Sequence, residues 1–321
     1  MTAILLTEAI DQAGIDLLTA RADLRLAVAP PGDPAFDAAL PEALAIGVRV
    51  VRLDQALLSR APQLRVVAKH GVGYDNIDVG YLAGRGVPVT VTADANSISV
   101  AEHTMMLMLA AAKHLRAYDG AVRQADWEFR KSARAVELAG RRVLVVGFGR
   151  IGKRVAALCR AFGLHVLVHD TAAAALEQAD AAGYACITDL DAGIAQADVL
   201  TLHIPLTRQS AMLLGAARLG RLPRGTIVVN CARGGIVDED ALAQALAEGA
   251  VGAAALDVFG QEPIVQPHRL AEFDNVVLTP HSAATTREGA RAMAVAMAQN
   301  ILDGIDGRLE PSCIVDPATA A

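Results

Sequence analysis

The chain has 321 residues, a formal net charge of -6 at pH 7, and a composition that is 53% hydrophobic but only 3% aromatic. That length suits two domains, and the acidic balance argues against a nucleic-acid binder, which usually shows a basic face. A core built from Ala, Val, Leu and Ile suits helices packed on parallel strands.

Four cysteines, at 159, 186, 231 and 313, have neither CxxC nor metal-ligand spacing, so we expect reduced thiols, no metal and a cytoplasmic protein. Met1-Thr2-Ala3-Ile4 lacks the basic lead of a signal peptide and soon reaches Glu8, and no long uncharged apolar run predicts a membrane span.

In chain order, strand-like runs at 3–6, 24–28, 47–51, 64–68 and 87–91 alternate with helical spacing, first over 8–20. Such alternation predicts a parallel sheet under helices. A long helix is predicted over 99–120. It is Ala- and Met-rich and nearly uncharged before Lys113, as in a helix buried between domains or subunits. A polar stretch, 123–134, follows, and within it Trp127 reads as a packing anchor. The Met105-Met106-Leu107-Met108 stripe reads as core or subunit interface. A second series of strands is expected at 142–146, 164–169, 199–202, 226–230, 253–258 and 276–278, with helices at 153–162, 238–248 and 287–303.

Gly147-Phe148-Gly149-Arg150-Ile151-Gly152 is a G-x-G-x-x-G sequence between a strand and a helix. The first glycine permits the tight turn, the second lets the backbone approach a pyrophosphate, and the third lets helix and strand pack closely. The helix N-terminus offers free N–H groups to phosphates. Asp170 ends the next strand, where it is placed to accept from the ribose hydroxyls of NAD and to repel a 2′-phosphate.

Three further strand ends carry reactive side chains: Asn230-Cys231-Ala232-Arg233-Gly234-Gly235, Asp257-Val258-Phe259-Gly260-Gln261-Glu262-Pro263 and Thr279-Pro280-His281. In a parallel sheet such ends gather at the ligand crevice. A histidine is suited to take a hydroxyl proton near neutrality. A carboxylate beside it fixes the ring and favours its charged form. An arginine holds a carboxylate and polarises a carbonyl. Cys231 reads as a packing residue, and the remaining histidines, His103 among them, as structural.

The segments Lys69-His70-Gly71-Val72-Gly73-Tyr74-Asp75-Asn76-Ile77-Asp78, GFGRIG, NCARGGIVDEDAL, LDVFGQEP and TPH resemble the D-isomer-specific 2-hydroxyacid dehydrogenase family, in order, from about residue 45 to 300. The resemblance implies an NAD-dependent oxidoreductase acting on a small D-2-hydroxy or 2-keto acid. It implies Arg233 as the substrate-binding arginine, His281 as general acid/base and Glu262 as its paired acid. Backbone groups around Val72 and Gly73 would hold the substrate carboxylate. Gly147, Gly149, Arg150, Ile151, Gly152 and Asp170 would meet the diphosphate and adenosine ribose, Ile204 would lie along the cofactor, and Cys231, Ala232 and Asp257 would lie near the nicotinamide.

The implied fold is α/β, with two Rossmann-like parallel-sheet domains. The dinucleotide domain, 98–286, is inserted into a discontinuous substrate domain made of 1–97 and 287–321, and a homodimer forms through the NAD-binding domain. Two alternatives are an NAD-sensing corepressor-like binding protein and a short, unregulated 3-phosphoglycerate dehydrogenase, the latter because no regulatory domain is expected before the end at Ala321. Lys69 precedes the carboxylate loop, and Arg49 ends an earlier strand. They read either as surface charges or, with His70, as contacts to an anionic distal group.

Overall fold

The computed structural model describes residues 3–317. Its internal contacts divide the chain into two units, one made of the residues up to Asn96 and those from Thr285 onward, the other of Ser97–Ala284.

In the first unit, strands β1 (Ala3–Leu6), β2 (Arg25–Val28), β3 (Ala43–Val48), β4 (Val66–Lys69) and β5 (Val89–Thr90) form a parallel sheet in the order β2-β1-β3-β4-β5. All residues of β1, β3 and β4 are buried, as a sheet covered on both faces requires. Ile4, Leu6 and Ala68 pack with Met297, Ile301 and Ile305 of the C-terminal helix Arg287–Asp306. On the opposite face, Leu5, Ile46 and Val67 meet Phe36 and Leu82.

In the second unit, β6 (Arg142–Val146), β7 (His165–His169), β8 (Ala185–Cys186), β9 (Val199–Leu202), β10 (Thr226–Asn230), β11 (Val251–Leu256) and β12 (Val276–Leu278) form one parallel sheet. The order is β12-β11-β10-β9-β6-β7-β8. Every strand therefore ends on the same edge, and the order reverses between β9 and β6, where open α/β sheets bind ligands.

Three expectations are corrected. The helix expected over 99–120 is two helices, Ser97–Ala112 and Leu115–Arg123, separated at His114, whose left-handed φ of 48° cannot continue a helix. The first helix buries Met105, Leu107 and Met108, whereas the second buries nothing. Trp127 does not anchor packing within the chain: it is 66% exposed, with the Arg130 guanidinium over its ring. The first helix starts at Gln12 rather than residue 8, because Asp11 caps it by accepting from Ala13 N. The four cysteines are free thiols. Among the described residues, no helix is long and apolar enough to cross a membrane, and no cluster of side chains is suited to a metal.

Candidate active site

The glycine loop leaves the end of β6 and enters the helix Arg150–Ala161. Gly147 has φ +95°, and a Cβ there would lie 2.4 Å from the His203 carbonyl oxygen. A Cβ on Gly152 would lie 2.0 Å from the Gly147 oxygen. Turn and helix are thus locked together by the absence of two methyl groups. Gly149 differs, because a Cβ there would meet nothing within 4 Å. As the helix N-cap it supplies no side chain to the first N–H groups. The loop is therefore open where a diphosphate would approach and closed where the fold must pack, which fits a dinucleotide.

Asp170 follows β7. Its Oδ2 accepts from Phe148 N at 2.7 Å and its Oδ1 from Ala172 N at 2.8 Å. The carboxylate thus braces the glycine loop, and each oxygen retains lone-pair capacity for a ribose hydroxyl. Arg150 is exposed and Ile151 half-buried at the start of the helix. Ile204 follows β9, half-buried against the core, next to the His203 carbonyl that touches Gly147.

The three reactive segments leave β10, β11 and β12, which are neighbours in the sheet. After β10, the buried Asn230 accepts from Ala232 N at 3.0 Å and donates to Arg233 O at 2.9 Å. This Asx-type closure shapes the Arg233 loop. The Arg233 Nη1 donates to Ala232 O at 2.6 Å. Cys231 is buried, and burial pushes its thiol up to about 12, which removes it as a thiolate nucleophile.

His281 Nδ1 lies 2.6 Å from Glu262 Oε2. Glu262 Oε1 in turn accepts from Phe259 N at 2.8 Å. Burial would raise the Glu262 carboxyl, but the bonds from His281 and the Phe259 N–H outweigh it and hold the group below its ordinary range. An ionised carboxylate only accepts, so His281 Nδ1 carries the hydrogen. The other ring nitrogen, Nε2, is the one left for a ligand, on a ring that is 51% exposed. His281 itself sits at φ +50°, a conformation unusual outside glycine and found at functional sites.

Asp257 explains how that conformation is held. Its backbone oxygen accepts from His281 N at 2.7 Å. Its buried carboxylate accepts from Thr279 Oγ1 at 2.6 Å, Ser282 N at 2.8 Å and Ala283 N at 2.8 Å. The turn carrying His281 is wrapped around this one residue. Sequence reasoning gave Asp257 a nicotinamide contact and missed the bracing role, although an acid at the end of a buried strand is itself a signal of internal partners. Asn230 was missed in the same way.

In the first unit, the loop after β4 is pinned by His70 N to Val48 O at 2.8 Å and Gly71 N to Thr92 Oγ1 at 3.0 Å. Val72 and Gly73 follow, half-buried. Lys69 is itself buried, and its ammonium donates to Arg49 O and to Asn76 Oδ1. These bonds tie the end of β4 to the Arg49 and Asn76 loops.

Residues 105–283 match the NAD-binding domain of the D-isomer-specific 2-hydroxyacid dehydrogenases. The chain belongs to this family. It is 37% identical over 308 residues to a D-3-phosphoglycerate dehydrogenase of Synechocystis, covering 96% of this chain and 55% of the relative. It is 39% identical over 270 residues to a glyoxylate reductase of Aeropyrum pernix, covering 82% and 80%. The chain thus spans about half the length of the phosphoglycerate dehydrogenases it matches. A D-lactate dehydrogenase from Aquifex aeolicus, solved with NAD and lactic acid, superposes with a TM-score of 0.87 at 28% identity, covering 98% of this chain and 99% of that one. The cofactor of the matched domain is NAD.

Proposed function

We propose that the protein transfers hydride between NAD(H) and a small 2-hydroxy or 2-keto acid. The observation that carries the reading is the His281–Glu262 pair, held at 2.6 Å at the end of a sheet whose same edge carries the glycine loop.

Bound NADH supplies the hydride for reduction of the keto carbon, and NAD+ accepts it in reverse. In this reading His281 Nε2 gives a proton to the developing alkoxide during reduction and takes it back during oxidation. Glu262 keeps the hydrogen on Nδ1 and fixes the orientation of the ring. The Arg233 guanidinium holds the substrate carboxylate and polarises its carbonyl. In the first unit we assign the Val72 and Gly73 backbone to substrate binding. Gly147, Gly149, Gly152, Arg150, Ile151 and Asp170 are assigned to the diphosphate and adenosine ribose, and Ile204, Cys231, Ala232 and Asp257 to the cofactor beyond. We accordingly name Ser97–Ala284 the cofactor unit and the remainder the substrate unit. Lys69 is assigned to bracing the Arg49 and Asn76 loops rather than to a distal substrate group.

An NADH-oxidation screen over glyoxylate, pyruvate, hydroxypyruvate and phosphohydroxypyruvate tests the reading. We expect turnover of at least one of them, and no turnover of any would remove the enzymatic assignment.

We propose a homodimer through the cofactor unit, because an apolar groove of about 660 Å³ runs along its surface between Met105, Met106, Leu109, Leu158 and Phe162. Met106 and Phe162 are 42% and 48% exposed, more than a solvated helix pair requires. Phe162→Glu is expected to halve the mass measured by light scattering, and an unchanged mass would exclude this face. We place the protein in the cytoplasm, where its four free thiols stay reduced.

A further inference from the structure

Thr279 and Asp257, which shape the turn carrying His281, have one more partner, on another element. His103 lies on the helix Ser97–Ala112. Its Nε2 is 3.0 Å from Thr279 Oγ1 and 3.4 Å from Asp257 Oδ1. Its side chain is only 16% exposed.

Donor bookkeeping fixes the direction of these bonds. The Thr279 hydroxyl has one hydrogen, and it goes to Asp257 Oδ1 at 2.6 Å. Thr279 Oγ1 must therefore accept from His103, so His103 Nε2 carries a hydrogen. That hydrogen is shared between Thr279 and Asp257. Burial alone would raise the Asp257 carboxyl; bonds from His103, Thr279 and the Ser282 and Ala283 N–H groups outweigh it and hold the group low. The Asp257 carboxylate is 0% exposed, and its Oδ1 gathers the Thr279 hydroxyl, the Ser282 N–H and the His103 ring.

We infer that His103 is a positioning residue for His281: its Nε2–H completes the donor set on Thr279 and Asp257 that fixes the turn presenting His281 to Glu262. The chain of contacts runs from His103 to Thr279 and Asp257, then from the Asp257 carbonyl to His281 N at 2.7 Å, and from His281 Nδ1 to Glu262. Removing the first link leaves Thr279 Oγ1 without its donor and Asp257 one donor short. The turn then loses one of the restraints that keep His281 at its left-handed φ, the Ser282, Ala283 and His281 N–H bonds to Asp257 being the others. Without that restraint, the ring departs from the Glu262 carboxylate.

The inference rests on the proposed role of His281, and its test is built to separate the two. His103→Leu removes the donor at similar volume, and His103→Gln puts an amide N–H at about the same reach. The first readout needs no turnover. A ring N–H held 2.6 Å from a carboxylate resonates far downfield in the proton spectrum, and its loss in His281→Asn identifies it. We expect this signal to vanish in His103→Leu and to persist in His103→Gln. The second readout is kinetic. His103→Leu is expected to lower kcat about tenfold or more, the scale of a small misplacement of a reacting group, with the KM for NADH unchanged and with recovery in His103→Gln. If His103→Leu does not fold, Thr279→Val and Thr279→Ser supply the same comparison, Ser retaining the signal and Val losing it. The inference is overturned if the signal survives in His103→Leu, or if His103→Gln is as impaired as His103→Leu. If the wild type reduces no keto acid, the proposed function fails, and the ring signal still decides the place of His103.

Discussion

Gly234 packs against the carbonyl of Phe259 so closely that a Cβ on the glycine would lie 1.7 Å from that oxygen. The contact joins two loops of the candidate site. Gly234 follows Arg233 after β10, while Phe259 N–H anchors Glu262 after β11. No flexible side chain stands between them, so the backbone itself must move to admit a methyl group.

Gly234→Ala is therefore expected to push Phe259 away and to loosen the hold on Glu262. We predict a loss in kcat of about tenfold to a hundredfold, the scale of a one-ångström misplacement, together with a lower Tm. Steady-state kinetics and thermal unfolding check this. Unchanged kinetics would show that Arg233 and Glu262 are not geometrically coupled.

Asp170 is predicted to do two jobs. Its carboxylate braces Phe148 N and Ala172 N, and it faces the ribose in the proposed function. Asp170→Ala removes the acceptor and the charge together. We expect weaker NADH binding, by about 1.5–3 kcal/mol as for hydrogen bonds to a charged group, and a relative gain in NADPH use. Fluorescence titration with both cofactors measures it. A wild type that already prefers NADPH would contradict the role given to Asp170.

A pH effect follows from His70. Burial, with the Arg49 charge beside it, pushes the His70 imidazole down from 6.5 to about 4. The folded state then binds this proton less readily than the unfolded state. Stability from this source is complete above about pH 6.5 and falls as pH drops toward 4, by up to about 3 kcal/mol. Urea unfolding followed by circular dichroism at about pH 7.5 and about pH 5 should show a smaller pH loss in His70→Gln than in wild type. Equal losses in the two proteins would place the titration elsewhere.

Much of this site was legible in the sequence because its signals are local. The strand, the GFGRIG turn and the following helix lie within twenty residues, and each glycine has a separate steric reason. The apolar run of β1 announces a buried strand directly, whereas the strand expected at 47–51 lies earlier, at Ala43–Val48, within the apolar run that precedes Arg49. What escaped depends on contacts between distant segments. Asp257 and His103 are 154 apart in sequence, and no local pattern pairs them. Lys69 read as a surface or substrate charge, because burial and bonds to Arg49 O and Asn76 are set by three different loops. The break at His114 escaped because an apolar helix and its amphipathic successor share continuous helical spacing. Trp127 was misjudged because its size suggests a core, whereas its surroundings within the chain leave it exposed.

In the proposed function, His281, aligned by Glu262, moves the substrate proton. The most direct measurement is kcat for keto-acid reduction by His281→Ala, alongside NADH affinity by fluorescence. We expect a loss of at least about a hundredfold in kcat, the scale of a missing general acid, with NADH affinity unchanged. Turnover within a few-fold of wild type would contradict it.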